Sequence, residues 1–89
     1  MEETRKNTNI QIGKRLREVR NNLGCRQSEF AAVLKVSEEH YRKYESGVTG
    51  LSADKLLTLY KRYGIDPTYL IVGECMKEFD VEYYIANCN

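Results

Sequence analysis

The stretch RQSEFAAVLKVSEEHYRKYESG, Arg26 to Gly47, constrains the fold more than any other part of the chain. Gln27 to Leu34 carries Phe30, Ala31, Val33 and Leu34 as an apolar side and reads as a short helix. After a tight turn, Ser37 is a good N-cap for a second short helix, which Gly47 stops and in which Tyr41 and Tyr44 lie three apart on one face. Neither segment reaches the roughly 12 to 15 residues at which an isolated helix becomes marginally stable. Both must therefore be held by neighbours.

The flanking sequence supplies those neighbours. Ile12, Leu16, Val19 and Leu23 recur at spacings of 4, 3 and 4, which predicts an amphipathic helix over 10–23 stopped by Gly24. After the loop SGVTG, Ser52 caps a helix that carries Leu56, Leu57, Leu59, Tyr60 and Tyr63 and ends at Gly64. In IDPTYLIVG, Asp66 is the cap, Pro67 takes the first helical position where its missing N–H costs nothing, and Gly73 terminates. The fold class is all-α: five helices over 10–73, preceded by a polar N-terminal arm, 1–9, and followed by a C-terminal extension, 74–89. In that extension Phe79, Val81, Tyr83 and Ile85 alternate as in a strand, while Met76, Phe79, Tyr83 and Ala86 fit a helix, and both readings stand. Either way the tail is acidic on one side and apolar on the other, as an association element would be.

Composition narrows the function. At 89 residues the chain is one domain, and a chain this short buries only about 60 to 65% of the surface its unfolded form exposes, so association would add useful stability. Net charge is +1, but residues 1–63 hold 13 Lys+Arg against 8 Asp+Glu while residues 64–89 hold 1 against 5, so the two halves face different partners. Arg5, Lys6, Lys14, Arg15, Arg17, Arg20 and Arg26, with only Glu18 opposing them, form a plausible footprint for phosphates or simply the solvated face of one helix. The N-terminus lacks an apolar signal region, and apolar-aromatic runs such as FAAVL at 30–34 and YLIV at 69–72 are far below a membrane span, so no membrane partner and a cytoplasmic location are expected. Cys25, Cys75 and Cys88 form no C-x-x-C pair and have no histidine cluster beside them, so no metal or other cofactor is expected, and reduced thiols fit that compartment. A redox-sensing role for Cys25, between Gly24 and Arg26, rests only on the nearby cation. The chain does not read as an enzyme: His40 is the only histidine, no nucleophile has an identifiable base, and the adjacent acids Glu38 and Glu39 point apart on a helix.

Taken together, IGKRLREVRNNLG, RQSEFAAVLKVS, YRKYESG and LSADKLLTLYKRYGIDPTYLIVG resemble the lambda-repressor-like, Xre-type helix-turn-helix family over residues 10–73. The marks are distributed: Ile12-Gly13, Leu16-Arg17, Arg20, Gly24, Gln27, Glu29-Phe30-Ala31, Glu45-Ser46-Gly47 and Tyr69-Leu70 before Gly73. The resemblance implies that Arg20 pairs with Glu45 between the first and third helices, and that Ala31 is the small residue where the second helix crosses the third. It implies phosphate contacts from Gln27, Ser46 and Arg26, and a third helix that reads DNA through Ser37, Glu38, Glu39, Arg42 and Lys43, with His40 near the sugar-phosphate rim and Tyr41 and Tyr44 turned inward. Two departures weaken or strain this pattern. Lys35 stands where the family commonly has glycine in the turn, costing about 1 kcal/mol if that position is left-handed. The loop VTGLSA lacks the cations that often grip the DNA backbone in relatives.

Glu38 and Glu39 are the third departure. In the first turn of a helix carboxylates gain about 0.3–1 kcal/mol from the N-terminal dipole, and in a major groove a glutamate accepts from cytosine N4; the two roles are compatible. The expectation is a sequence-specific, dimeric regulator on a palindromic site of double-stranded DNA, its homodimer contact made by the tail and residues 52–73 through Tyr69, Ile71, Phe79 and Tyr83. The competing expectation is an antitoxin or other protein-interaction module whose tail binds a protein partner.

Overall fold

The capping signals set most of the architecture. The computed structural model describes residues 2–74, with side chains from Lys6 onward, and places five helices in order: α1 (Glu2–Asn22), α2 (Gln27–Leu34), α3 (Glu38–Ser46), α4 (Ala53–Tyr63) and α5 (Pro67–Val72). Ser37, Ser52 and Asp66 each accept a hydrogen bond from a first-turn N–H, and Gly47, Gly64 and Gly73 close α3, α4 and α5. Helix α1 begins at Glu2, well before residue 10 where the apolar repeat starts. Its added turns are polar and carry no periodicity, and nothing in their sequence breaks a helix before Gly13. The tail beyond Glu74, with its strand and helix readings and its expected dimerisation role, lies outside the described residues.

Every helix contributes to one core. Leu16 of α1, Phe30, Ala31 and Leu34 of α2, Tyr41 and Tyr44 of α3, Leu59 of α4 and Leu70 of α5 are buried together, with Ile65 from the α4–α5 connection. Phe30 sits at the centre, stacked on Tyr63 at 4.7 Å and meeting the edge of Tyr41 at 6.0 Å, arrangements that aromatic quadrupoles favour. Helix α3 packs on α1 and α2, α4 packs on α2 and α5, and α5 returns to α1. The short helices thus depend on each other, as their length required.

Close approach and strain appear at two positions. Where α1 crosses α3, a Cβ on Gly13 would fall 2.8 Å from the Glu45 carbonyl carbon and closer still to the carbonyl oxygens of Tyr44 and Glu45. Only glycine lets the two backbones meet there. Lys35, which closes α2, adopts φ 59 and ψ 43, so the left-handed turn expected to strain a non-glycine residue is present. That geometry lets the Lys35 N–H reach the Ala32 carbonyl at 3.2 Å and the Val36 N–H reach Ala31 at 3.0 Å.

Two cations of the expected phosphate footprint are committed inside the fold. Arg15 donates to the carbonyls of Leu70 at 2.9 Å and Ile71 at 3.0 Å, capping the C-terminal end of α5. Arg20 is buried and is treated below. Tyr69, expected at a dimer contact, donates its hydroxyl to Glu18 at 3.0 Å and ties α5 to α1.

Candidate nucleic-acid interface

Helix α3 has an inner and an outer side, and the inner side fixes where the outer one lies. The Glu45 carboxylate accepts from Arg20 Nε at 2.6 Å, Arg20 Nη2 at 3.2 Å, Gln27 Nε2 at 3.2 Å and the Tyr41 hydroxyl at 2.5 Å. Arg20 donates a further bond to the Cys25 carbonyl at 2.9 Å, so one side-chain network joins α1, the α1–α2 turn, α2 and α3. The expected Arg20–Glu45 pair is therefore present, with only 10% and 5% of the two side chains exposed. Burial alone would raise the Glu45 carboxyl; the hydrogen bonds from Arg20, Tyr41 and Gln27 outweigh it and hold the group below its ordinary value. The hydrogen bond to Glu45 raises Arg20, and burial, reinforced by the same carboxylate, pushes the Tyr41 phenol far above the ordinary tyrosine range. Among the described residues no buried side-chain polar atom lacks a hydrogen-bond partner, as a buried charged network requires.

The outer side is polar and accessible. Glu38, Glu39, Arg42 and Lys43 are exposed, and Arg42 Nη2 pairs with Glu38 Oε1 at 3.2 Å across one helical turn. Ser37 uses its hydroxyl to cap the helix, accepting from the His40 N–H at 3.0 Å. His40 is half-buried with its ring edge-on to Tyr44, centroids 5.0 Å apart, and Ser46 donates its hydroxyl to the Lys43 carbonyl at 3.2 Å.

Beside the N-terminus of α3 lies an open hollow of about 590 Å³, lined by Arg17, Arg20, Cys25, Arg26, Gln27, Ser28 and Glu38. The N-terminus of α2 opens into it, and a helix N-terminus with flanking arginines favours an anion such as a phosphate. Arg26, Gln27 and Glu38 of the expected site are brought together here; Arg42, Lys43 and Ser46 follow along α3, with Ser46 at its far end. Gln27 is only partly available, because its amide already donates to Glu45. Ser28 was not singled out from the sequence, although its place in the first turn of α2, next to Gln27, is the signal that finds it.

Two short packed helices with a buried alanine in the first, the second presenting a polar edge beside a cationic hollow, define the helix-turn-helix class of DNA-reading domains. A helix-turn-helix domain family model matches residues 13–74, and the chain belongs to that lambda-repressor-like family. No curated protein sequence and no solved structure gives a significant match to the chain. Among the described residues no helix is long and apolar enough to cross a membrane, and no three metal-ligating side chains cluster.

Proposed function

We propose that the protein is a sequence-specific transcriptional regulator that binds double-stranded DNA as a homodimer on a palindromic operator. The observation that supports this most is the division of α3: Tyr41, Tyr44 and Glu45 anchor it from behind, while Glu38, Glu39, Arg42 and Lys43 stand exposed beside the Arg17–Arg26 hollow. In this reading α3 enters the major groove, and Arg26, Ser28 and the N-terminus of α2 meet the phosphate backbone together with Arg17. Ser37 and His40 flank the groove edge, and Ser46 and the remaining acceptor of Gln27 contact the backbone near either end. Glu39 makes no hydrogen bond or ion pair among the described residues, which suits it to accept from cytosine N4.

A dimer would place two α3 helices about 34 Å apart, one turn of the duplex. Leu57 and Tyr60 on α4, and Ile71 and Val72 at the end of α5, are large apolar side chains left exposed, and they support association. The same apolar residues support a second reading, a module that binds a protein partner through this face. Solution mass separates the two: a dimer of the isolated protein favours the regulator, a monomer that dimerises neither alone nor on DNA favours the partner module.

The direct test is selection of bound duplexes from a random pool, followed by anisotropy at several salt concentrations. The regulator reading expects two inverted half-sites one helical turn apart and an affinity that falls linearly with salt on logarithmic axes. Recovery of no common sequence would contradict it.

A further inference from the structure

Glu38 occupies an unusual position: it lines the cationic hollow with Arg17 and Arg26, and it also holds Arg42 on the outer edge of α3. A carboxylate among arginines that await phosphate opposes binding, and the favourable place for an acid in the first turn does not require it to face that hollow. Glu39, one residue along the same turn, has the same helix-dipole advantage without the ion pair.

Resting on the reading of α3 as the DNA-contacting helix, we propose that Glu38 is a positioning residue that makes Arg42 a reader of guanine. The guanidinium has five N–H donors in a fixed fork, and the bond to Glu38 engages only Nη2. The Nε–H, one hydrogen on Nη2 and both on Nη1 remain, enough for an end-on fork that donates to guanine O6 and N7. The tether has a second effect. Arg42 is otherwise a long, mobile cation that can swing to the nearest phosphate and add attraction without sequence information. Held by Glu38 at 3.2 Å, it stays on the base-facing edge, and the carboxylate repels phosphates in the hollow that it lines. Specificity thus rises by suppressing the nonspecific alternative as well as by forming the specific contact.

The experiment compares wild type, Glu38→Gln, Arg42→Ala and the double variant on the selected operator, on operators changed at each base pair, and on a scrambled duplex, with helical content checked by circular dichroism. Wild type should show a guanine whose replacement weakens binding by about 5- to 100-fold, the range of one bidentate contact. Arg42→Ala should abolish that preference. Glu38→Gln should reduce it while tightening binding to the scrambled duplex and steepening its salt dependence by about one phosphate contact per protomer. In the double variant the Gln substitution should no longer affect the guanine. A guanine preference lost in Arg42→Ala but intact in Glu38→Gln would overturn the positioning role, as would a preference that survives Arg42→Ala. If wild type enriches no sequence at all, the regulator reading fails first and this inference falls with it.

Discussion

Among the described residues two Arg–Glu pairs involve α3, one bridging it to α1 and one within it, and their chemistry is the same while their surroundings are not. Arg20 and Glu45 are 25 residues apart, 2.6 Å in contact and almost wholly buried, with Gln27 and Tyr41 filling the remaining acceptor capacity. Arg42 and Glu38 are one helical turn apart, 3.2 Å in contact and roughly half exposed, with water able to compete at every atom. The buried pair cannot be replaced piecemeal because either partner alone is an uncompensated charge in a poor solvent. The exposed pair adds little to stability, and Arg42 keeps donors free for a base while Glu38 holds it. One pair sets where α3 lies; the other, in the proposed reading, sets what α3 meets.

This contrast is broken most forcefully at Glu45. Replacing Glu45 with Ala strands Arg20 and removes the acceptor of Tyr41 and Gln27, and should cost about 3–5 kcal/mol in urea unfolding, enough to leave a small domain largely unfolded. Glu38→Ala should stay within about 0.5 kcal/mol of wild type. Equal losses in the two variants would refute the division of labour. Gly13→Ala comes next, at about 1–3 kcal/mol, since the added methyl meets backbone of α3 that has nowhere to move.

Acid sharpens the comparison through linkage. Glu45 has a folded-state pKa below its ordinary 4.5, so its contribution is present above that pH and is lost as pH falls through the lower folded value. The stability gap between wild type and Glu45→Gln should therefore be constant near neutrality and narrow below about pH 4.5. At the alkaline end Tyr41 is raised above its ordinary 10.0, so its contribution is complete below pH 10 and declines as pH rises beyond it, and an absorbance titration should find one phenol that resists ionisation until the fold opens. A smaller effect of opposite sign is expected at the turn. Lys35→Gly relieves the left-handed strain and should stabilise by about 0.5–1 kcal/mol in the same unfolding assay, offset in part by the greater freedom of glycine in the unfolded chain.

What was legible in the sequence divides along similar lines. Caps and stops act within a few residues of themselves, so Ser37, Ser52, Asp66-Pro67, Gly47, Gly64 and Gly73 announced helices α3 to α5 almost to the residue. The start of α1 was not legible, because a polar helical turn has no apolar repeat to mark it. Partners distant along the chain were hidden from composition and spacing. The cation count left Arg15 and Arg20 either in a phosphate footprint or on a solvated helix face, yet one caps α5 and the other is buried against Glu45. Only the resemblance to known relatives pointed to the Arg20–Glu45 pair. Gln27 was expected to face a phosphate; it lines the hollow, and which atoms of its amide remain available depends on a carboxylate 18 residues away. The backbone contact at Gly13 was likewise invisible, since a glycine in a helix does not say what lies against it.

The central claim is that the exposed edge of α3 is the DNA-reading surface, and one comparison tests it most directly. The double variant Arg42→Ala with Lys43→Ala alters only exposed side chains, so its thermal midpoint should match wild type within a few degrees. Its affinity for the selected duplex, measured by fluorescence anisotropy, should fall by about 10-fold or more. A folded double variant that binds that duplex as tightly as wild type would place the DNA-reading surface elsewhere on the molecule.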